Sequence, residues 1–226
     1  LDYNLQRCGL DFSVISKDLN EIDGVVQQLV KHYEKSGANI TLLSEYGITN
    51  VNRPVHLNRV LRKNGYLSIR VERGLELLDP GVSDAFAVAD HQIAHIYVKN
   101  KAHLADIKKL VSQQEGVEQV LSGDEIDKKH LQHERCGDLV VVADSDSWFT
   151  YYFWLDDTKA PDYARMVDIH KKPGYDPVEM MTDPKDKLVM AKVVGKLLKK
   201  KLGFRTVMNI IPIDASLIKG SHGRIP

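Results

Sequence analysis

Acidic side chains follow two predicted buried strands at the points where these strands end. Glu45 comes just after the apolar and β-branched run 38–43, and Asp144 comes just after the strand-like run 138–143. In open α/β sheets, ligands usually bind just beyond the carboxyl ends of the strands. Glu45 is therefore a candidate site residue, and the alternative is a solvated loop carboxylate.

Three short stretches, far apart in the sequence, add further candidates. The first reads Leu-Asp-Tyr-Asn-Leu-Gln-Arg-Cys-Gly and contains Asp2 and Gln6. The second reads Ser-Glu-Tyr-Gly-Ile and contains Glu45 and Tyr46, and the third reads Gly-Ser-His-Gly around His222. In order and spacing they resemble the metal-binding motifs of the nucleotide pyrophosphatase/phosphodiesterase branch of the alkaline phosphatase superfamily. The resemblance covers most of the chain.

The family's first motif is an Asp followed after three residues by a His, its second is Ser-Asp-His-Gly-Met, and its third is a His between glycines. Asp2 and His222 match, whereas Gln6 and Tyr46 replace imidazoles and Glu45 replaces an aspartate. The resemblance implies one or two divalent ions (Zn²⁺, Mn²⁺ or Mg²⁺), which in two-metal sites lie about 4 Å apart. Asp2 and His222 would hold one ion and Glu45 the other, with Gln6 and Tyr46 at the altered ligand positions. These residues are therefore expected to converge at one edge of the sheet.

Each of these candidates has a structural alternative. Asp2 would serve equally well as a helix or turn cap, and Tyr46 would more simply pack over the edge of the sheet. Gln6 is a better hydrogen-bonding substitute for an imidazole than a ligand. His222 is the best single candidate, because flanking glycines allow the backbone to approach a ligand closely.

The resemblance also implies the architecture and the reaction. We expect an α/β fold like that of alkaline phosphatase, with a central, mostly parallel sheet flanked by helices. Residues 1–80 and 137–226 would form the C-terminal portion of the catalytic core, and residues 81–136 a small α+β cap insertion. The implied activity is metal-dependent hydrolysis of phosphodiester or pyrophosphate bonds in a small phosphorylated substrate.

The family's nucleophilic Thr or Ser lies before the first of these motifs, so it is expected upstream of Leu1. The N-terminal part of the same catalytic domain is accordingly an expected partner of this chain. Two alternatives remain open at this point. One is a catalytically degenerate binding or pathway-accessory protein of the same fold, and the other is a phosphomutase-like transferase.

Two further clusters combine acids and imidazoles. Asp90 and His91 fall in a predicted turn between two strands, with His95 four residues after His91. We expect this group to be a hydrogen-bonded element of the cap, with metal or substrate contact as the alternative. Asp168 and His170 precede a loop rich in Pro and Gly, where His170 would replace a lost imidazole or contact substrate. A structural ion pair with a nearby Arg is the competing interpretation.

The composition argues against nucleic acid and membranes as partners. The 226 residues carry 31 Lys+Arg and 31 Asp+Glu, so no positive charge excess favours nucleic acid. Basic residues do not interleave the aromatic run 148–154, which we expect to pack on the core rather than to line a nucleic-acid groove. Cys8 and Cys136 show no disulfide or zinc spacing, which favours a reducing, cytoplasmic location. No membrane association is expected, and a homo-oligomer is left open.

Apolar periodicity places the regular elements. Helices are predicted from residue 19 to Gly37, over 57–63, over 102–113 and from 187 to about 202. Strands are predicted at 38–43, 67–71, 86–89, 93–98, 117–121, 138–143 and 206–211.

The oxygen donors at Gln6, Glu45 and Tyr46 generate a prediction about metal identity. A ligand set richer in oxygen than the family's should let Mn²⁺ or Mg²⁺ support activity at least as well as Zn²⁺. Activity assays after metal removal and reconstitution measure this directly. Stoichiometric zinc that survives dialysis against a weak chelator would contradict the prediction.

Overall fold

The structure is a computed structural model that describes residues 1–224. The helices in this range are α1 (Asp2–Cys8), α2 (Phe12–Glu34), α3 (Leu57–Lys63), α4 (Leu104–Ser112), α5 (Asp124–Lys128) and α6 (Val189–Lys201). The strands are β1 (Thr49–Asn50), β2 (Arg53–Val55), β3 (Ile69–Glu72), β4 (Leu75–Leu78), β5 (Ala85–Asp90), β6 (Ile93–Val98), β7 (Val117–Ser122), β8 (Leu139–Ala143), β9 (Ser147–Phe149) and β10 (Gly220–Ser221).

A four-stranded sheet with the order β5-β6-β8-β7 forms the centre of the molecule. Strand β8 is buried along its whole length because both faces of the sheet are covered. Leu139 and Val141 point into the main core, which also holds Ile107 of α4, whereas Val140 packs with Ile126 of α5 on the opposite face. This alternation is the two-residue period of a strand. Helices thus cover a β-layer on both sides, and the α/β class is confirmed.

The strand directions differ from the mostly parallel arrangement that was expected. All neighbouring pairs in the four-stranded sheet are antiparallel, while β2 and β9 pair in parallel. For β5 and β6 the reason is local, because only two residues join these strands and so short a turn returns the chain antiparallel. The sheet also continues across the expected cap boundary at residue 136, since β8 inserts between β6 and β7.

Two segments that were predicted as strands do not pair. Residues 38–43 and 206–211 are irregular, and 38–43 is exposed throughout. Helix α2, which precedes the first of these segments, likewise exposes its apolar residues Ile22, Val25, Leu29 and Tyr33. These four residues, here called the α2 stripe, have the helical spacing of a buried face. The described residues provide no cover for them.

The aromatic run packs on the core as expected. Its six aromatic residues are buried, namely Trp148, Phe149, Tyr151, Tyr152, Phe153 and Trp154. Asn58 of α3 connects this segment to the outer edge of β5: its amide donates to the carbonyls of Ala87 and Tyr151 and its oxygen accepts from the Ala87 N–H. One side chain therefore satisfies buried backbone groups of an edge strand that would otherwise be unpaired.

A loop after residue 168 covers the C-terminal end of the β5 edge. The Tyr175 N–H donates to the Ala89 carbonyl at 2.8 Å. Gly174 makes this approach possible, since a Cβ there would lie 2.2 Å from the Ala89 oxygen and its φ is +123°. Beneath the loop, the fully buried Lys172 ammonium lies 2.8 Å from Asp176 and 2.6 Å from Glu179.

Among the described residues, no helix combines the length and apolar character that crossing a bilayer requires.

The buried ion triad of Lys172 gives a stability prediction. Lys172→Met should lower the free energy of unfolding by about 3–5 kcal/mol, because two buried carboxylates lose their counter-charge. Urea unfolding followed by circular dichroism measures the change. The matched control is Lys171→Met, whose 58% exposed side chain pairs with Asp168 and should cost about 1 kcal/mol or less. Equal small losses for both variants would show that the triad does not anchor the loop.

Candidate functional site

Four aromatic rings from remote parts of the sequence pack against one another in a column, with an angle of 30° between the planes of its two histidines. His222 lies 3.6 Å from Tyr46, centroid to centroid, and 3.8 Å from His91. Two rings this close to one imidazole must lie against its opposite faces. Tyr175 stacks on His91 at 4.6 Å and completes the column. We call these four residues the ring column.

The backbone of residues 219–222 places His222 in the column. The Lys219 N–H donates to the Gln6 carbonyl at 2.7 Å, and the His222 carbonyl accepts from the Gln92 N–H at 2.8 Å. Between these bonds, β10 pairs antiparallel with β1. Gly220 lets α1 come close, because a Cβ there would lie 2.2 Å from the Leu5 carbonyl oxygen. Gly220, two residues before His222, is therefore required by packing as well as by its place in the motif.

His91 occupies the turn between β5 and β6 with a φ of +56°. Its Nδ1 lies 2.6 Å from Asp90 Oδ1, and its carbonyl accepts from the Phe149 N–H at 2.7 Å. The ring is almost fully buried, and its Nε2 has no hydrogen-bond partner among residues 1–224. Asp90 therefore holds one edge of this imidazole and leaves the other edge free.

Asp2 and Gln6 lie one turn apart on α1 and are joined directly. Gln6 Nε2 donates to Asp2 Oδ2 at 3.0 Å, as expected of a hydrogen-bonding substitute for an imidazole. Gln6 is buried, and within residues 1–224 its Oε1 has no partner. Buried acceptors are rarely left unpaired, so this oxygen needs a donor or a cation. A carboxylate beside an unpaired amide oxygen is a donor set that divalent ions accept.

The charges of this region act on one another. Burial raises the pKa of the Tyr46 hydroxyl, and the carboxylates of Asp2, Glu45 and Asp90 raise it further. Burial also lowers the pKa of His222, and His91 adds to that effect, whereas Asp90 and Asp2 oppose it. The hydrogen bond from His91 lowers the pKa of Asp90. Asp2 thus lies within electrostatic reach of the ring column.

The donors present fit an ion only in part. Within the described range 1–224, no three side chains of the types His, Cys, Asp and Glu are close enough together to hold a metal ion. Asp2, the Gln6 oxygen and His222 are the donors that could contribute to one ion. Further ligands would have to come from side-chain movement or from outside this sequence.

The other candidates are placed differently. Glu45 is exposed beside Tyr46 and makes no ion pair within residues 1–224. Asp168 forms an ion pair with Lys171 at 3.0 Å, so its partner is a lysine and not the arginine that the competing interpretation named. His170 is exposed in the same loop and is not a member of the ring column. His95 accepts a hydrogen bond from the Gly137 N–H at 3.1 Å, in keeping with the expected hydrogen-bonded element.

Sequence reasoning missed Tyr175. It lies in the Pro- and Gly-rich loop that was considered because of His170. The ring that it stacks on, His91, lies 84 residues earlier, in the β5–β6 turn. The only signal was the sequence Lys-Pro-Gly-Tyr-Asp-Pro, which predicts an ordered loop but not its docking on β5.

Comparison with solved structures finds partial matches. Human ectonucleotide pyrophosphatase/phosphodiesterase 5 is 11% identical with a TM-score of 0.45, and the match covers 98% of this chain and 43% of the other. Its mouse counterpart is 22% identical with a TM-score of 0.42, and the match covers 66% of this chain and 36% of the other. Phosphonoacetate hydrolase from Sinorhizobium meliloti 1021, in complex with phosphonoacetate, is 18% identical with a TM-score of 0.34. That match covers 47% of this chain and 27% of the other. The chain thus spans less than half the length of each of these proteins.

No curated protein matches the chain significantly. The sequence model of one family, described as type I phosphodiesterase/nucleotide pyrophosphatase, matches residues 1–176. This range is well over half of the 226 residues and includes the segments of Asp2, Glu45 and His91. The chain belongs to the type I phosphodiesterase/nucleotide pyrophosphatase family.

Proposed function

We propose that this chain contributes to a metal-dependent hydrolase of phosphodiester or pyrophosphate bonds in small phosphorylated substrates. The observation that carries the proposal is the meeting of α1 with the segment around His222. The hydrogen bond from the Lys219 N–H to the Gln6 carbonyl holds the segment that carries His222 against α1, which carries Asp2 and the unpaired Gln6 side-chain oxygen. Family membership supports the reaction class, since the family is one of phosphoester hydrolases.

The chain's own groups would prepare this site in three ways. Gln6 orients the Asp2 carboxylate through its amide N–H. The Gln92 N–H fixes the backbone of His222, and the faces of Tyr46 and His91 hold its ring. Because the lone pair of an imidazole nitrogen lies in the ring plane, stacking leaves its coordinating edge free. A divalent ion bound by Asp2, Gln6 and His222 would supply charge stabilisation to a phosphoryl group undergoing transfer.

The nucleophile would come from a Thr or Ser that precedes Leu1 in the polypeptide. We infer that this preceding part of the catalytic domain packs on the α2 stripe and pairs with residues 38–43. Both features are apolar, exposed and adjacent in sequence, and residues 38–43 have the composition of a strand without a neighbour. An amphipathic helix followed by a buried strand is one half of a parallel α/β unit, which the preceding strands would complete.

A second candidate function has a specific observation in its favour. The ring column fills the space around His222 with aromatic faces, and the imidazoles of the family motifs are replaced at Gln6 and Tyr46. A binding or accessory protein that has lost tight metal binding would show these same features. Turnover by the complete polypeptide separates the two functions.

The test of hydrolase function is His222→Ala in the complete polypeptide. Loss of an ion ligand should lower the turnover of a chromogenic phosphodiester by about 10²–10³-fold, because charge stabilisation of the transition state is lost. Because the variant also loses the contacts of His222 with Tyr46 and His91, rates are compared at a temperature at which thermal melts show both proteins to be folded. His133→Ala, which removes an exposed imidazole elsewhere, is the control and should retain full activity. Equal, low rates for wild type and His222→Ala would contradict the proposal and favour the accessory protein.

If the preceding residues pack on the α2 stripe, two substitutions in α2 should lower the free energy of unfolding by different amounts. In the complete polypeptide, Leu29→Asp should lower the free energy of unfolding by about 3 kcal/mol or more, because it buries a carboxylate in an apolar contact. Gln28→Asp introduces the same residue at an exposed neighbouring position and should cost about 0.5 kcal/mol. Chemical denaturation measures both variants. Equal small effects would show that the stripe faces solvent, and a loss that depends on protein concentration would show that a second copy covers it.

A further inference from the structure

A cavity opens at the carboxyl end of the parallel strand pair β2–β9. Val55 is paired with Phe149 at this end, so the residues that follow them, His56 and Thr150, are also neighbours. His56 Nδ1 lies 2.7 Å from Thr150 Oγ1, and the His56 side chain lines the cavity, which has a volume of about 430 Å³. Ligands commonly bind beyond the carboxyl ends of parallel strands, in cavities of this size. Its position and volume therefore suit a small molecule.

Two stacked rings on the wall of this cavity carry polar atoms that the protein leaves unused. Tyr152 lies 5.7 Å from His56, centroid to centroid, with nearly parallel planes. The Tyr152 hydroxyl is buried and has no hydrogen-bond partner among residues 1–224. Burial raises the pKa of Tyr152 well above its usual value and lowers that of His56 to about 4, so both rings are neutral near pH 7. Because buried hydroxyl groups are rarely left unpaired, a molecule bound in this cavity would supply the missing partner.

Charges of both signs line the same cavity without pairing with each other. Arg165, Asp183 and Asp214 make no ion pair within residues 1–224, whereas Arg59 and Asp157 pair with each other at 2.8 Å. The two unpaired carboxylates are held in place, since each accepts a hydrogen bond from the backbone N–H two residues later. The cavity therefore presents one unpaired guanidinium and two unpaired carboxylates.

We propose that this cavity binds a small zwitterion, with its anionic group on Arg165 and its ammonium group on Asp183 and Asp214. The Tyr152 hydroxyl and His56 Nε2 would form hydrogen bonds to the ligand between these ends. A ligand with a negative charge alone would face two carboxylates, and one with a positive charge alone would face the guanidinium. The lining residues lie outside the ring column and the three motifs, so the proposal is independent of metal-dependent hydrolysis.

The experiment compares three matched probes on the complete polypeptide. The probe 4-aminobutanoate carries both charges, butanoate carries only the negative charge, and butylamine carries only the positive charge. Calorimetric titration at pH 7 and low salt measures their affinities. We expect 4-aminobutanoate to bind at least about 10-fold more tightly than either of the others, because only it forms charge-assisted contacts at both ends. Equal affinities for the three probes, or no detectable binding of 4-aminobutanoate, would overturn the proposal.

Three variants assign the binding to this cavity. Arg165→Met should weaken 4-aminobutanoate binding by about 10-fold and leave butylamine binding undiminished, because only the anionic group loses its partner. Asp214→Asn should weaken the binding of 4-aminobutanoate and of butylamine but not that of butanoate, and asparagine keeps the capping hydrogen bond to residue 216. The control is Arg135→Met, which removes an exposed arginine outside the cavity and should bind like wild type. Unchanged affinity of folded Arg165→Met for 4-aminobutanoate would show that the probe binds elsewhere.

Discussion

Backbone hydrogen bonds at the two ends of residues 219–222 hold the candidate site together. One end is tied to the Gln6 carbonyl of α1, and the other is tied to Gln92 in the β5–β6 turn. Without these bonds, Asp2, His91 and His222 would belong to three unrelated surface elements. Because the bonds are made by main-chain atoms, the chain can vary its side chains around the site while keeping its geometry. The changes at Gln6, Glu45 and Tyr46 have occurred on such a framework.

The local elements could be predicted from sequence, whereas their partners could not. Helix α3 and strand β6 form where periodicity and the turn at Asn64 and Gly65 indicated, since these signals act over a few residues. The strands expected at 38–43 and 206–211 do not pair, because strand pairing depends on neighbours from elsewhere in the fold. Apolar composition predicts that a segment is suited to a sheet but does not supply the adjacent strand.

The candidate site shows the same division. The motif spacing identified Asp2, Gln6, Tyr46 and His222 as candidates. The structure places Tyr46 and His222 in direct contact. The column's remaining rings depend on the β5–β6 turn and on the loop that Lys172 anchors, both remote in sequence. The free nitrogen of His91 could not be read from sequence either, because it follows from a bond to the adjacent Asp90 combined with burial by other elements. Asp168 illustrates the reverse case. Its spacing from His170 suggested a functional site, whereas its side chain forms an ion pair with Lys171.

The chemistry depends on whether these donors act together on one ion. Within residues 1–224, Gln6 Oε1 is a buried acceptor without a hydrogen-bond partner, and an amide oxygen is a ligand that divalent ions accept. The most direct measurement is a crystal structure of the complete polypeptide soaked in Mn²⁺, with an anomalous difference map at the manganese edge. We expect a peak bordered by Asp2, the Gln6 side-chain oxygen and His222. A map with no peak there, or a peak bound by other residues while the ring column stays intact, would contradict a metal site built on this framework.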